Sequence, residues 1–135
     1  MTGDQIDAFL REPRIADLAT IRPDGSPHIA PVWYHYDGEK VMVVASRTAV
    51  KTRNIRNDPR VALSMATEAA PYEYVLVTGN ASISDDAAPD LLRTMATHYK
   101  GVTEGRRYAE QVLKDADFIT ITVTPSRISG WRDAD

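Results

Sequence analysis

Apolar and polar residues recur along this chain in two rhythms, and the switches between them divide it into elements. Ile6, Phe9 and Leu10 fall on one helical face, which predicts a short helix over residues 2–12 that Pro13 ends. Two β-rich runs, 15–22 and 27–36, flank Pro23-Asp24-Gly25-Ser26, a strong turn signal. A second turn, Asp37-Gly38-Glu39-Lys40, leads into the apolar run 41–46. The segment AVKTRNIRND then has helical composition and ends at Asp58-Pro59. Strands resume over 61–66 and 72–84, the latter alternating through Tyr74, Leu76 and Thr78. After Ser84 the rhythm turns helical: Asp85 and Asp86 can cap, Pro89 suits a first turn, and Leu91, Leu92, Met95 and Tyr99 follow at helical spacing. Gly101 and Gly105 predict a break before a second helix over 106–114. Residues 118–124 alternate as a last strand, which Pro125 ends.

Six strands, mostly antiparallel, with one helical excursion before the last, predict a mainly β fold: a β-barrel with flanking helices. Several strands are apolar on both faces, which suits a closed or nearly closed barrel covered outside by helices, a second subunit or both. The 135 residues read as a single domain, 1–135, with no internal repeat or linker. Composition then acts mainly by exclusion. A net charge of −3 is not the basic footprint of a nucleic-acid binder. With no cysteine, disulfides, thiolate nucleophiles and cysteine-type zinc sites are excluded. The first residues lack a basic start and an apolar signal core, and the runs VMVVA and YVLV fall far short of the roughly 20 residues of a membrane span. The expectation is a cytoplasmic protein with no membrane or nucleic-acid partner.

The chain carries no P-loop, Rossmann glycine motif, HExxH or nucleophile elbow. Its three histidines are scattered: His28 and His35, seven apart on one predicted strand, face opposite ways, and His98 falls in a predicted helix as a packing residue. No metal site is expected. One segment stands out. Ser46-Arg47-Thr48 ends a strand, and Lys51-Thr52-Arg53-Asn54 starts a short helix a few residues later. Hydroxyls, a guanidinium, an ammonium and free helix amides at one strand–helix junction suit a phosphate. The same residues also make a solvated basic loop, and the spacing alone does not separate the two readings.

The stretch LATIRPDGSPHIAPVWYHYDGEKVMVVASRTAVKTRNIRNDPRVALSM, followed by PYEYVLVTGNASI, resembles the pyridoxamine 5′-phosphate oxidase-like family. Within it, the chain is similar to the branch of deazaflavin (coenzyme F-420)-dependent oxidoreductases. The resemblance runs from Leu18 to Ile83, and it rests on L-A-T-x-R-x-D-G-x-P, K-x-R-N-x-R-x-D-P-R and Y-V-x-V-x-G taken together. It implies a six-stranded antiparallel split barrel of the FMN-binding type, forming a homodimer with two cofactor sites at the interface. It assigns the phosphate to Ser46, Arg47, Thr48, Lys51 and Thr52, and the tricyclic ring to His28, Pro31, Val32 and Trp33. The second subunit would close the site with Tyr72, Tyr74 and Trp131, aromatics for which core or interface packing is an equal alternative. The implied cofactor is coenzyme F-420, with FMN as the alternative, and the implied activity is hydride transfer to or from a small conjugated substrate. Solvent, or Tyr72 or Tyr74 where they face the ring, would supply the proton. Arg53, Arg56 and Arg60 would lead an acidic cofactor tail away from the phosphate. A different class, a non-catalytic flavin- or haem-binding carrier or sensor, shares the fold. The end Gly130-Trp131-Arg132-Asp133 lacks the Arg-x-His pair of true pyridoxamine-phosphate oxidases.

Overall fold

Thr2 opens the first helix, α1 (Gly3–Arg11): its hydroxyl accepts from the Gln5 amide at 3.2 Å, and its own amide donates to Gln5 Oε1 at 2.8 Å. This reciprocal cap satisfies two amides that a helix start otherwise leaves without partners. The computed structural model describes residues 1–86, 88–114 and 117–133. Among these the chain forms seven strands: β1 (Ala16–Ile21), β2 (Pro27–Val32), β3 (His35–Tyr36), β4 (Val41–Ser46), β5 (Arg60–Ala66), β6 (Glu73–Ser84) and β7 (Phe118–Arg132). They make one antiparallel sheet in the order β2-β1-β5-β6-β7-β4-β3.

The stretch 27–36, expected as one strand, is therefore two. β2 pairs with β1 at one edge of the sheet and β3 pairs with β4 at the other, with only Trp33 and Tyr34 between them. Three Cα steps separate Val32 from His35, a reach of at most ~11 Å. The sheet has to curl until its edges nearly meet, and the result is a split barrel. Its inward positions, such as Leu18, Val43, Leu63, Val77 and Ile121, form the core, which Phe9 and Leu10 of α1 complete.

β7 was expected to stop at Pro125 but continues to Arg132. Thr78 pairs with Arg127 while Gly79 pairs with Pro125, so the partner strand carries an extra residue and the ladder bulges there. A proline's missing amide is tolerated at a bulge. Gly79 is needed opposite, because a Cβ there would lie 2.2 Å from the Thr124 carbonyl oxygen.

The second helix, α2 (Val50–Asn57), contributes Ile55 to the core. It is also pinned by a buried polar pair, in which Asn54 Nδ2 donates to Thr20 Oγ1 of β1 at 3.0 Å. Between β6 and β7 lies a helical hairpin, α3 (Ala88–Lys100) and α4 (Val102–Val112). Gly101, at φ 87°, makes the bend. Gly105 was expected in that break but lies inside α4. A Cβ there would be 2.3 Å from the Ala96 carbonyl oxygen, so the helices touch backbone to backbone. α3 covers part of the outer face over β4 and β7. The outer face of β2, β1, β5 and β6 stays bare, with Ile29 64% and Leu76 41% exposed.

Replacing Asn54 by Ala strands the buried Thr20 hydroxyl and should cost about 1–3 kcal/mol in urea denaturation. An unchanged midpoint would show that the pair does not anchor α2.

Candidate functional site

β4 delivers the candidate phosphate residues because its inward positions, Val41, Val43 and Ala45, run out at Ser46. There the chain turns: the Ser46 carbonyl accepts from the Ala49 amide at 3.1 Å and from the Thr52 hydroxyl at 2.7 Å. α2 then starts at Val50, and Ala49 before it offers no side-chain cap, which leaves its first turn open to an outside acceptor. The Ser46 and Thr48 hydroxyls lie 3.4 Å apart beside it. Lys51, in that first turn, is half-buried. Burial acts on its amine and lowers its pKa, and among the described residues no carboxylate pulls the other way. The ammonium also lies at the positive end of the helix dipole, where a cation is disfavoured. Both terms are relieved if an anion docks against it.

Lys51 lines a pocket of about 270 Å³ whose floor includes Pro31, Val32 and Trp33, with Val44 and Phe118, and whose roof is Leu92 and Met95 of α3 with Tyr108 and Val112 of α4. The structure thus brings four of the expected residues together. It adds an aromatic stack on Trp33, with Tyr99 at 4.9 Å between ring centroids and nearly parallel, and Tyr108 at 5.2 Å, tilted. The Tyr99 hydroxyl accepts from the Tyr34 amide at 3.1 Å and donates to the Arg14 carbonyl at 2.7 Å. It satisfies a backbone group that no strand partner reaches. Neither tyrosine was singled out from the sequence, although Tyr99 sat on the apolar face predicted for its helix.

Other expected residues are placed differently. The Thr52 side chain is buried and its hydroxyl is spent on Ser46. Arg47 turns away from the junction: Nε and Nη2 donate to the Asp117 carboxylate at 2.7 and 3.2 Å, and Nη2 also pairs with Asp85. The bonds to Asp117 and then Asp85 raise the guanidinium pKa, and the same bond lowers that of Asp117. His28 is half-buried on β2 opposite Thr20 and does not line the Lys51 pocket; its Nδ1 is buried without a hydrogen-bond partner among the described residues. His35, expected on the same strand as His28, lies on β3 at the other edge of the sheet. It shares a separate cavity of about 410 Å³ with His98, whose Nε2 is 3.0 Å from the Arg11 carbonyl oxygen.

Residues 2–132 match the pyridoxamine 5′-phosphate oxidase family. The chain belongs to that family. Among solved structures it is similar to an F420 reductase, at 28% identity and a TM-score of 0.75 over 91% of this chain and 94% of that one. It is also similar to a conserved hypothetical protein from Mycobacterium tuberculosis, at 26% identity and a TM-score of 0.79 over 98% and 85%. A haem storage protein from Vibrio cholerae shares the fold, at 19% identity and a TM-score of 0.73 over 96% and 92%. No helix among the described residues is long and apolar enough to cross a membrane.

In this family member the last three expected residues stand apart from the pocket. Tyr74 and Trp131 stack at 5.5 Å across β6 and β7, with Tyr72 beside them, all exposed. The opposite end of β6, Ser84, pairs with Thr120 near the hairpin. Ten residues of strand, ~33 Å, lie between the two ends. Within one chain these aromatics do not reach Lys51.

Replacing Tyr99 by Phe keeps the stack but leaves the Tyr34 amide without its acceptor. A loss of about 1–3 kcal/mol in stability and a shift in Trp33 fluorescence are expected. A variant that matches the parent in both would mean that the hydroxyl does not hold the seam.

Proposed function

We propose that this chain is a homodimeric oxidoreductase that binds a flavin-type cofactor in the Lys51 pocket, coenzyme F-420 ahead of FMN, and moves hydride between it and a small conjugated substrate. The observation that carries this reading is Lys51: a half-buried ammonium, with no opposing carboxylate among the described residues, at an uncapped helix start and in the lining of a pocket shared with Pro31, Val32 and Trp33. Such an arrangement is unfavourable until a phosphate arrives. Family membership and the likeness to an F420 reductase support the redox class and the deazaflavin.

The residues fit the group. Ser46, Thr48, Lys51 and the first-turn amides of α2 would hold the phosphate, and Pro31, Val32 and Trp33 would flank the ring. The cofactor, when bound, supplies the carbon that gives or takes hydride. The chain's own part is to bind, orient and keep water out through the apolar roof of α3 and α4. Arg53 and Arg56, exposed along α2, offer positive charge leading away from the phosphate. Arg60 contributes less, because Asp58 holds it at 2.7 Å.

A partner subunit is part of the reading. At about 270 Å³ the pocket is small for a cofactor, since ligand sites usually enclose roughly 300–1,000 Å³. The bare outer face, with Ile29 and Leu76, is the surface a second copy would cover, and Tyr72, Tyr74 and Trp131 would then serve the partner's site.

Side-by-side titration with coenzyme F-420 and FMN tests the binding. Coenzyme F-420 should bind more tightly at low salt, with the gap narrowing as salt rises. Lys51→Ala should weaken either one about ten- to hundredfold, the loss of a charge-assisted contact of roughly 1.5–3 kcal/mol. Binding requires the ammonium, and burial lowers its pKa in the free protein. Affinity should therefore start to fall with rising pH below 10.5, earlier than for an ordinary lysine. Unchanged affinity in a folded Lys51→Ala protein would return the segment to a solvated loop. Tight binding without turnover of any conjugated acceptor would favour a carrier.

Sedimentation at micromolar concentration should give about twice 15.0 kDa. Ile29→Lys should yield a folded monomer that has lost the cofactor. A wild-type monomer that binds cofactor fully would remove the second subunit from the site.

A further inference from the structure

We propose that Arg47 is a positioning residue: it clasps the two ends of the α3–α4 hairpin and so sets the roof of the Lys51 pocket, rather than holding the phosphate itself. The inference rests on the ligand-binding reading of that pocket, and its test separates the two.

The α3–α4 hairpin lies between β6 and β7, and Arg47 grips the residue that follows β6, Asp85, and the residue that precedes β7, Asp117. The guanidinium meets Asp117 through two parallel bonds and Asp85 through a third contact. The Arg47 amide also donates to the Asp117 carbonyl at 2.9 Å. Isolated exposed ion pairs contribute little, but bidentate geometry and a shared network are the circumstances in which they count. An arginine engaged by two carboxylates is already neutralised, so a phosphate would have to displace them. Lys51, with no such competitor among the described residues, is the cation better placed for it.

The hairpin is built to act as a unit. Gly105 lets α4 meet α3 at Ala96 backbone to backbone, and the same two helices supply Leu92, Met95, Tyr108 and Val112 to the pocket roof. Their outer end is fixed by Tyr99 on the seam and by the Tyr99 and Tyr108 rings on Trp33. Arg47 fixes the base. Loosening it should let the roof rise without dissolving the barrel.

The test uses Arg47→Ala, the double variant Asp85→Asn with Asp117→Asn, and all three changes together. Amide hydrogen exchange is read in the ligand-free protein, and affinity is read with FMN as probe. The clasp requires exchange in α3 and α4 to rise about tenfold in both variants while the β5 and β6 amides stay protected. The triple variant should be no worse than either, because the same contact is removed. FMN affinity should fall several-fold in both, and Arg47→Lys, whose single ammonium cannot span both carboxylates, should recover only part of it. A phosphate-binding Arg47 gives the opposite pattern: removing the two aspartates frees the guanidinium and tightens FMN, while Arg47→Ala weakens it. That result, or unchanged exchange in the hairpin, overturns the proposal. Should wild-type protein bind neither flavin nor deazaflavin, the cofactor reading fails, and the exchange measurements still decide the clasp.

Discussion

A sheet whose outermost strands are consecutive in the chain cannot stay flat. Trp33 and Tyr34 alone connect β2 to β3, and those two strands lie at opposite edges of the sheet. The curl is therefore imposed by covalent reach before any side chain packs. It leaves a seam where two residues cross with no strand beside them, and their backbone groups need partners. Tyr99 answers for the Tyr34 amide, while the Tyr34 hydroxyl donates to the Glu12 carbonyl at 3.3 Å and ties the end of α1 to the same place. The hairpin's position, the stack on Trp33 and the pocket beneath it all follow from where that seam lies.

Around the seam the molecule divides the outside of its barrel. One part is roofed by helices, and a pocket forms in the gap between roof and sheet. The other part is bare and apolar. The charges on the roofed side are distributed unequally: one cation is held by two carboxylates, and another is half-buried beside a helix start that disfavours it. A protein selected for stability alone would even these out. Local conflict of this kind tends to mark where function is located.

Much of this was legible in the residues. Turn signals at Asp24-Gly25 and Asp37-Gly38, alternation along β6 and the helical spacing of Leu92, Met95 and Tyr99 give the element order and the mainly β class. The family motifs point to the strand–helix junction, and Lys51, Pro31, Val32 and Trp33 do converge on one pocket. The misreadings share a cause: each concerns a residue whose local preference gives way to a distant partner. Pro125 normally stops a strand, yet a bulge opposite Gly79 carries it through. Gly105 normally breaks a helix, yet it serves a close contact with Ala96. Alternation cannot show that a run of ten residues changes partners at Trp33. Nor does composition tell a free arginine from one held by Asp85 and Asp117, residues that lie far along the chain. Asn54 is the converse case: a poor helix former inside a short helix is itself a sign of a buried partner, here Thr20.

The prolines of β2 have one more consequence. Residues 27, 29 and 31 share a phase of that outermost strand, opposite Ile21, Ala19 and Asp17. Two of the three are proline and carry no amide hydrogen, so only Ile29 could donate to a neighbour on the open flank. At the other margin β3 is two residues long. Neither margin offers a ladder on which a stray strand could zip, which guards a small, strand-rich chain against runaway aggregation. The same blunting leaves the faces of the sheet, rather than its margins, as the surfaces on which any partner would have to settle.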